Sequence, residues 1–291
     1  MIIITGQTAT GKTKLALELA KKHNGELVNF DSRQIYKYLD IITGKDLPPR
    51  QSSRAEQSGV EGSVWLYDIV TPDQYFSSFD FVKKAKPIIQ DIIDRGKEPI
   101  LVGGTYFYLK HLLYGFDIQP VPANPKLREK LNKKSVEELQ NILKKLDVQS
   151  INRLNNSDIN NPRRLIRKIE IVRAGKKGTV LKRTEPFRTV PEEFIGIKYK
   201  KKEDLKKAIK IRVDKRLKQG AIDEVRLLLK KGYKETDPGM KTIGYRQLIE
   251  YLKGNMTKGQ AISDWINKEV QYAKRQLTFM KKDKNIKWIE I

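Results

Sequence analysis

The chain has 291 residues, enough for one large domain or a domain with a smaller insert, and its 38% hydrophobic content suits a packed core. No run approaches the ~18 uninterrupted apolar residues of a membrane span, and the opening MIIITGQTATGKT lacks the features of a signal peptide, so the expected setting is the cytoplasm without a membrane; the absence of cysteine excludes disulfides and thiolate metal sites. The net charge of +24 is lopsided, with 15 Lys/Arg against 14 Asp/Glu in residues 1–120 and 44 against 21 in residues 121–291, which points to a polyanionic partner without separating RNA from DNA or an acidic membrane.

Met1–Thr5 reads as a buried strand ending at glycine, followed by a helix over Lys12–Lys22 with Leu15 and Leu19 at helical spacing. Glu26–Phe30 reads as a second strand with Asp31 at its end, residues 44–63 as a long polar surface loop, and Trp65–Val70 as another strand. Phe79–Arg95 has the period of a helix that Gly96 closes and that Pro87 is expected to kink or divide. Pro99–Val102 reads as a strand, and Gly103-Gly104-Thr105 leads into a helix from Tyr106 to about Leu113. Alternation of strand and helix marks a parallel α/β sheet.

The composition changes near Gln119-Pro120-Val121-Pro122, and from there to about Pro191 the patterns are helical. Ser135 and Glu138 form a candidate capping box, and Pro162–Ala174 reads as a helix that Gly175 ends. Phe194–Tyr199 reads as a strand returning to the sheet. Three or four helices follow between Glu203 and Lys282, broken at Gly220, Gly232 and Gly254. The expected architecture is a P-loop NTPase-like parallel α/β core over 1–118 and 192–291 with C-terminal helices, interrupted by a helical insert over 119–191.

Gly6-Gln7-Thr8-Ala9-Thr10-Gly11-Lys12-Thr13 fits G-x-x-x-x-G-K-[ST] in full, between an expected strand and an expected helix. Backbone N–H groups and the helix N-terminus would cradle a diphosphate, Lys12 would neutralise it, and the Thr13 hydroxyl would ligate Mg²⁺. The motif leaves the reaction open, because it holds ATP and a carbon-linked diphosphate equally well. Asp31, at the carboxyl end of the second strand, stands where α/β sheets bind ligands; metal ligation, turn capping and general-base work are all open to it from position alone.

These residues resemble, in order, a known family. Gly6–Thr13, Asp31-Ser32-Arg33-Gln34-Ile35-Tyr36 and Asp40–Lys45 are similar to the opening of the tRNA dimethylallyltransferases. The series continues with Leu101–Thr105, Asn161–Arg167 with Glu170, Gly244–Gln247 and Tyr272–Thr278, across nearly the whole chain. The resemblance implies transfer of a dimethylallyl group from dimethylallyl diphosphate to the exocyclic amine of the adenosine 3′ of the anticodon, with Mg²⁺ and a tRNA partner. It implies that Asp31 is the base, that Thr8 lies beside the substrate, and that Arg212 lies near the diphosphate. It further implies tRNA contacts at Asp31, Ser32, Arg33, Gln34, Thr105 and Arg128, at Arg163, Arg164, Leu165, Ile166 and Arg167, at Gly244, Tyr245, Arg246 and Gln247, and at Tyr272, Lys274, Arg275 and Gln276. The chain departs from the family at Ile42, where glycine is usual, and at Val270, where arginine is usual; no Cys/His zinc finger follows the core, as in the compact bacterial form, and a monomer is the default.

Charge runs agree with an RNA track. Arg163–Arg183 holds nine Lys/Arg with Glu170 as its acid, and Lys198–Lys218 holds eleven against three acids, although either run also fits a solvated helix face. Tyr245 and Tyr272 could stack on bases or pack in the core. Rival readings are a small-molecule or nucleotide kinase, a prenyltransferase acting on free adenylate, and a non-catalytic RNA-binding protein.

Overall fold

A computed structural model describes residues 1–45, 64–116, 121, 124–175, 186–187 and 191–291; the expected loop over 44–63, the composition change at 119–122 and the end of the first basic run lie largely outside these residues. The chain divides into two compact units, 1–113 with 187–291, and Tyr114–Pro186, against the 119–191 insert read from composition.

The first unit is built on a parallel sheet. Its elements in chain order are β1 (Ile2–Gly6), α1 (Lys12–Lys22), β2 (Gly25–Asn29), β3 (Val64–Trp65), α2 (Ser78–Asp94), β4 (Glu98–Val102) and α3 (Tyr106–Tyr114, ending at the unit boundary). The second unit contributes α4 (Pro125–Asn132), α5 (Val136–Leu146), α6 (Val148–Asn152), α7 (Asn156–Ile159) and α8 (Pro162–Gly175). The chain then returns with β5 (Glu193–Lys198), α9 (Lys202–Lys218), α10 (Ala221–Lys230), α11 (Tyr245–Leu252), α12 (Lys258–Met280) and β6 (Lys287–Glu290).

The six strands lie in the order β3-β2-β4-β1-β5-β6, all parallel. The run Ile2-Ile3-Ile4 is buried throughout, as a central parallel strand covered on both faces requires. β1 pairs β4 on one side and β5 on the other, so its end at Gly6 falls in the middle of the carboxyl edge. A Cβ on Gly6, whose φ is +133°, would stand 2.1 Å from the Ile197 carbonyl oxygen; only glycine lets the chain leave β1 this close to β5.

Two expectations change, and one strand goes unread in the sequence. The strand over 65–70 shrinks to Val64–Trp65, because Leu66 and Asp68 take positive φ, which ends an extended ladder; Val70 keeps one bridge to Tyr36. α2 runs unbroken through Pro87, its buried face of Phe81, Val82, Ala85, Ile89 and Ile92 holding it in place. The edge strand β6 has too short a pattern to read from sequence, and it exists by pairing β5.

A second core lies among the later helices, where Trp265, Tyr245, Ile209, Val213 and Leu248 pack with Ile35, Leu39 and Ile42 from the segment after β2. The helical unit has its own core of Leu131, Leu139, Leu143, Leu165, Ile166 and Ile169, and α5 starts at the Ser135–Glu138 capping box. No helix of the described residues is long and apolar enough to cross a membrane.

Candidate active site

The loop from Gly6 to Thr13 is held from three directions. Gln7 donates its backbone N–H to the Ile197 carbonyl at 3.1 Å, and its side-chain oxygen accepts from the Tyr199 amide at 3.0 Å. The Tyr199 hydroxyl donates to the Ala9 carbonyl at 2.6 Å, and Thr10 Oγ1 to the Gln7 carbonyl at 2.9 Å. From α12, the Gln276 side-chain oxygen accepts from the Thr8 amide at 3.0 Å, while its nitrogen donates to the Gly104 carbonyl at 2.9 Å. Gly11, at φ +78°, turns the chain into α1 and sets the first N–H groups of that helix toward the loop.

Lys12 opens α1 and donates from Nζ to the Gln7 carbonyl. Burial, with the Arg212 guanidinium adding to it and the Asp31 carboxylate opposing, lowers its pKa to about 7. An anion in the loop would favour the charged form, so the side chain is tuned to a negative ligand.

Asp31 ends its strand in an Asx turn. Its Oδ1 accepts from the Arg33 amide at 2.9 Å, and its own N–H is held by Asn29 Oδ1 at 2.9 Å. Oδ2 lies so close to Gly104 that a Cβ there would come within 3.2 Å, which keeps that turn glycine-lined. Ser32 donates its amide to Thr105 Oγ1 at 2.9 Å, tying the two strand ends together. Gln34 Nε2 donates to the Gly44 carbonyl at 2.8 Å. Tyr272, on α12, keeps its proton because burial first, and the Asp31 charge second, raise its pKa to about 12.

One cavity of about 780 Å³ joins these groups: Thr8, Lys12, Thr13, Asp31, Arg212 and Gln276 all line it. Arg212, on α9, donates to the Thr8 hydroxyl and, at 3.3 Å, to the Thr43 carbonyl. No cluster of three or more His, Cys, Asp or Glu that could hold a metal occurs among the described residues. A divalent cation would therefore rely on the Thr13 hydroxyl, diphosphate oxygens and water, a hard-oxygen set that suits Mg²⁺.

The other expected contacts divide by exposure. Arg246, Lys274 and Arg275 are exposed and Arg33 is half-buried. Tyr245 is fully buried with its hydroxyl on Glu224, and Gln247 is buried, accepting from the Gly244 amide and donating to Asp264; both build the fold rather than face a base. In the helical unit, Leu165 and Ile166 are core side chains, whereas their neighbour Arg163 is exposed. Arg164 pairs with Asp158. Arg128 grips Glu170 with two 2.8 Å bonds and Arg167 adds a third at 3.1 Å. Burial alone would raise the Glu170 pKa, and these bonds lower it on balance.

The basic run over 198–218 is not one face. Lys206, Lys207 and Lys210 are exposed, whereas Arg216 is 3% exposed and Arg212 points into the cavity. Sequence reasoning did not find Tyr199, Glu224 or Glu269; a single tyrosine or glutamate in a lysine-rich helical region carries no local signal. Glu224 accepts from three successive amides, Asp40 at 2.8 Å, Ile41 at 2.6 Å and Ile42 at 3.2 Å, and so fixes the turn that presents Thr43 and Gly44.

A parallel sheet whose central strand feeds a phosphate loop, with an acid at the end of a neighbouring strand in the same cavity, defines a P-loop α/β protein of the phosphate-transacting kind. The profile of the family described as IPP transferase matches residues 34–283. A tRNA dimethylallyltransferase of Clostridioides difficile is 37% identical over 100% of this chain and 91% of its own length. The crystal structure of the full-length tRNA isopentenylpyrophosphate transferase from Bacillus halodurans matches with a TM-score of 0.68 at 32% identity, over 99% of this chain and 89% of that one. A eukaryotic dimethylallyltransferase acting on tRNA matches with a TM-score of 0.75 at 26% identity, over 100% of this chain and 73% of its own. This chain belongs to the IPP transferase family.

Proposed function

We propose that this chain transfers a dimethylallyl group from dimethylallyl diphosphate to the exocyclic amine of the adenosine 3′-adjacent to the anticodon of a tRNA, releasing pyrophosphate. The observation that carries the reading is the shared cavity, in which a phosphate loop and a strand-end carboxylate face the same space. The family's names for its relatives, which specify tRNA as acceptor, support it.

The loop amides, Lys12 and Arg212 bind the diphosphate and meet the negative charge that grows on it as the C1–oxygen bond breaks. Mg²⁺, held through the Thr13 hydroxyl and the phosphate oxygens, would supply further charge neutralisation for the leaving group. The adenine amine is conjugated with its ring and a weak nucleophile; it attacks C1, and Asp31 takes the proton it gives up. Bond formation from nitrogen to C1 balances the lost C1–oxygen bond, and the proton goes to the carboxylate. Reaching the cavity requires the base to leave the anticodon stack. Exposed lysines of α9 and Arg163 are offered to the phosphates of the RNA. A cytoplasmic monomer is the setting this reading implies.

Purified protein with Mg²⁺ and radiolabelled dimethylallyl diphosphate is given unmodified tRNA or free AMP, and the tRNA is digested to nucleosides. Label in prenyl-adenosine from tRNA is the expected outcome. Label on AMP instead would assign a free-adenylate enzyme, and ATP consumption without prenyl transfer would assign a kinase.

A further inference from the structure

Arg212 is held from behind by a carboxylate that nothing in the proposed chemistry uses. Glu269, on α12, is 7% exposed. Its Oε1 accepts from Trp265 Nε1 at 2.9 Å and from Arg216 Nη1 at 3.2 Å. Its Oε2 is buried, finds no hydrogen-bond partner among the described residues, and lies 3.9 Å from Arg212 Nη1. That same nitrogen donates to the Thr8 hydroxyl in the phosphate loop. Gly44 brings the backbone against both guanidiniums: a Cβ there would stand 2.3 Å from Arg216 Nη2 and 3.0 Å from Arg212 Nη2.

A buried carboxylate oxygen beside a guanidinium ordinarily closes a short bidentate pair, since an unmade bond to a buried charge is unfavourable. Here the pair stays open. Trp265 and Arg216 fix the carboxylate through its other oxygen, so it cannot advance, and Arg212 leans away toward Thr8. Arg212 is thus attracted by Glu269 strongly enough to be oriented, yet keeps its donors for the loop. From this geometry we propose that Glu269 is a positioning residue that aims Arg212 at the diphosphate, with Trp265 as its anchor. The proposal rests on the prenyl-transfer reading only in that the anion is the diphosphate of dimethylallyl diphosphate.

The test is a double-mutant cycle on Glu269→Gln and Arg212→Ala, read by calorimetric binding of inorganic pyrophosphate with Mg²⁺ and by steady-state prenyl transfer. E269Q keeps the shape and the contact to Trp265, but turns an amide rather than a charge toward Arg212. Expected is a loss of roughly tenfold in pyrophosphate affinity and in kcat/KM for dimethylallyl diphosphate, with the KM for tRNA unchanged. In the R212A background the same change should fall to within about twofold. A full-sized loss that persists without Arg212 would mean that Glu269 merely supports the fold and would overturn the proposal, as would an E269Q protein with unaltered pyrophosphate affinity. Should E269Q not fold, Trp265→Phe takes its place: it removes one of the two donors that hold the carboxylate back from Arg212, and unchanged pyrophosphate affinity would again overturn the idea. Pyrophosphate binding reads out independently of the acceptor, so a wild-type protein that transfers no prenyl group would sink the functional reading while leaving the cycle interpretable.

Discussion

Gln276 and Thr8, at opposite ends of the sequence, are joined by a 3.0 Å hydrogen bond from the Thr8 amide to the Gln276 side-chain oxygen. Because the same side chain donates to Gly104 at 2.9 Å, one amide group spans the phosphate loop and the turn beside Asp31. Gln276→Ala leaves a buried carbonyl without its donor and releases the loop from one of its braces. The expected result is a fall of about tenfold in kcat/KM for dimethylallyl diphosphate, in line with about 1–3 kcal/mol for a buried hydrogen-bonded group, measured by prenyl transfer at saturating tRNA.

Asp31→Asn preserves the acceptor that holds the Arg33 amide, whereas Asp31→Ala removes it. Both should lower kcat by roughly 10² to 10⁴, the range of general-base catalysis, with gel-shift affinity for tRNA nearly intact in the Asn variant. Turnover at the wild-type level in either protein would take Asp31 out of the mechanism.

Lys12 is charged below its pKa of about 7 and neutral above it. Diphosphate binding needs the charged form, so affinity of the free protein should be constant at lower pH and decline as pH rises past about 7. Burial is the main cause of the depression and Arg212 the next. Arg212→Gln should therefore move the break toward higher pH even as it weakens binding overall. Pyrophosphate titrations across pH would show whether the break moves.

In the helical unit the arginines fall into two kinds. Arg163 is exposed, while Arg128 and Arg167 hold buried Glu170. Arg163→Ala should weaken tRNA binding at every sequence and reduce its salt slope by about 1, without altering the melting temperature. Arg128→Ala should instead leave a buried carboxylate short of its main partner and destabilise that unit by about 1–3 kcal/mol, with Arg167 and the Asn124 amide still in place. Fluorescence binding at several salt concentrations, beside thermal melts, separates the two effects.

Gly244 precedes α11 as its N-cap at φ +96°, and a Cβ on it would stand 2.5 Å from Ile42 Cγ2 and 2.8 Å from Trp265 Cε2. Gly244→Ala combines a disfavoured backbone with overpacking, so a loss of about 2 kcal/mol or more in urea unfolding is expected. The pairing also shows that Ile42 is part of the buried cluster around Trp265.

The phosphate loop and its flanking strand and helix were legible because a contiguous motif states both its conformation and its chemistry, whereas the place of Asp31 was legible from the strand end and its role was not. Helices such as α2 and α8 were legible from periodicity and caps. What stayed hidden was set by partners far along the chain. Val70 loses its strand to the left-handed Leu66 and Asp68, β6 exists only against β5, and Arg216 sits in a run of lysines yet is the buried one. Tyr245 and Tyr272 look alike in sequence, each beside basic residues. One is sealed in the core, and the other lines the cavity, a difference made by which helix face meets its neighbours.

The sheet order has a consequence for synthesis. β1 leaves the ribosome before both of its partners, β4 and β5, and β5 is complete only at Lys198. The loop that follows β1 must then wait for α9 and α12 to bring Arg212 and Gln276. A nascent chain therefore leaves its phosphate loop unbraced until α12 has emerged, and the helical unit, whose contacts are local, is free to fold in the interval.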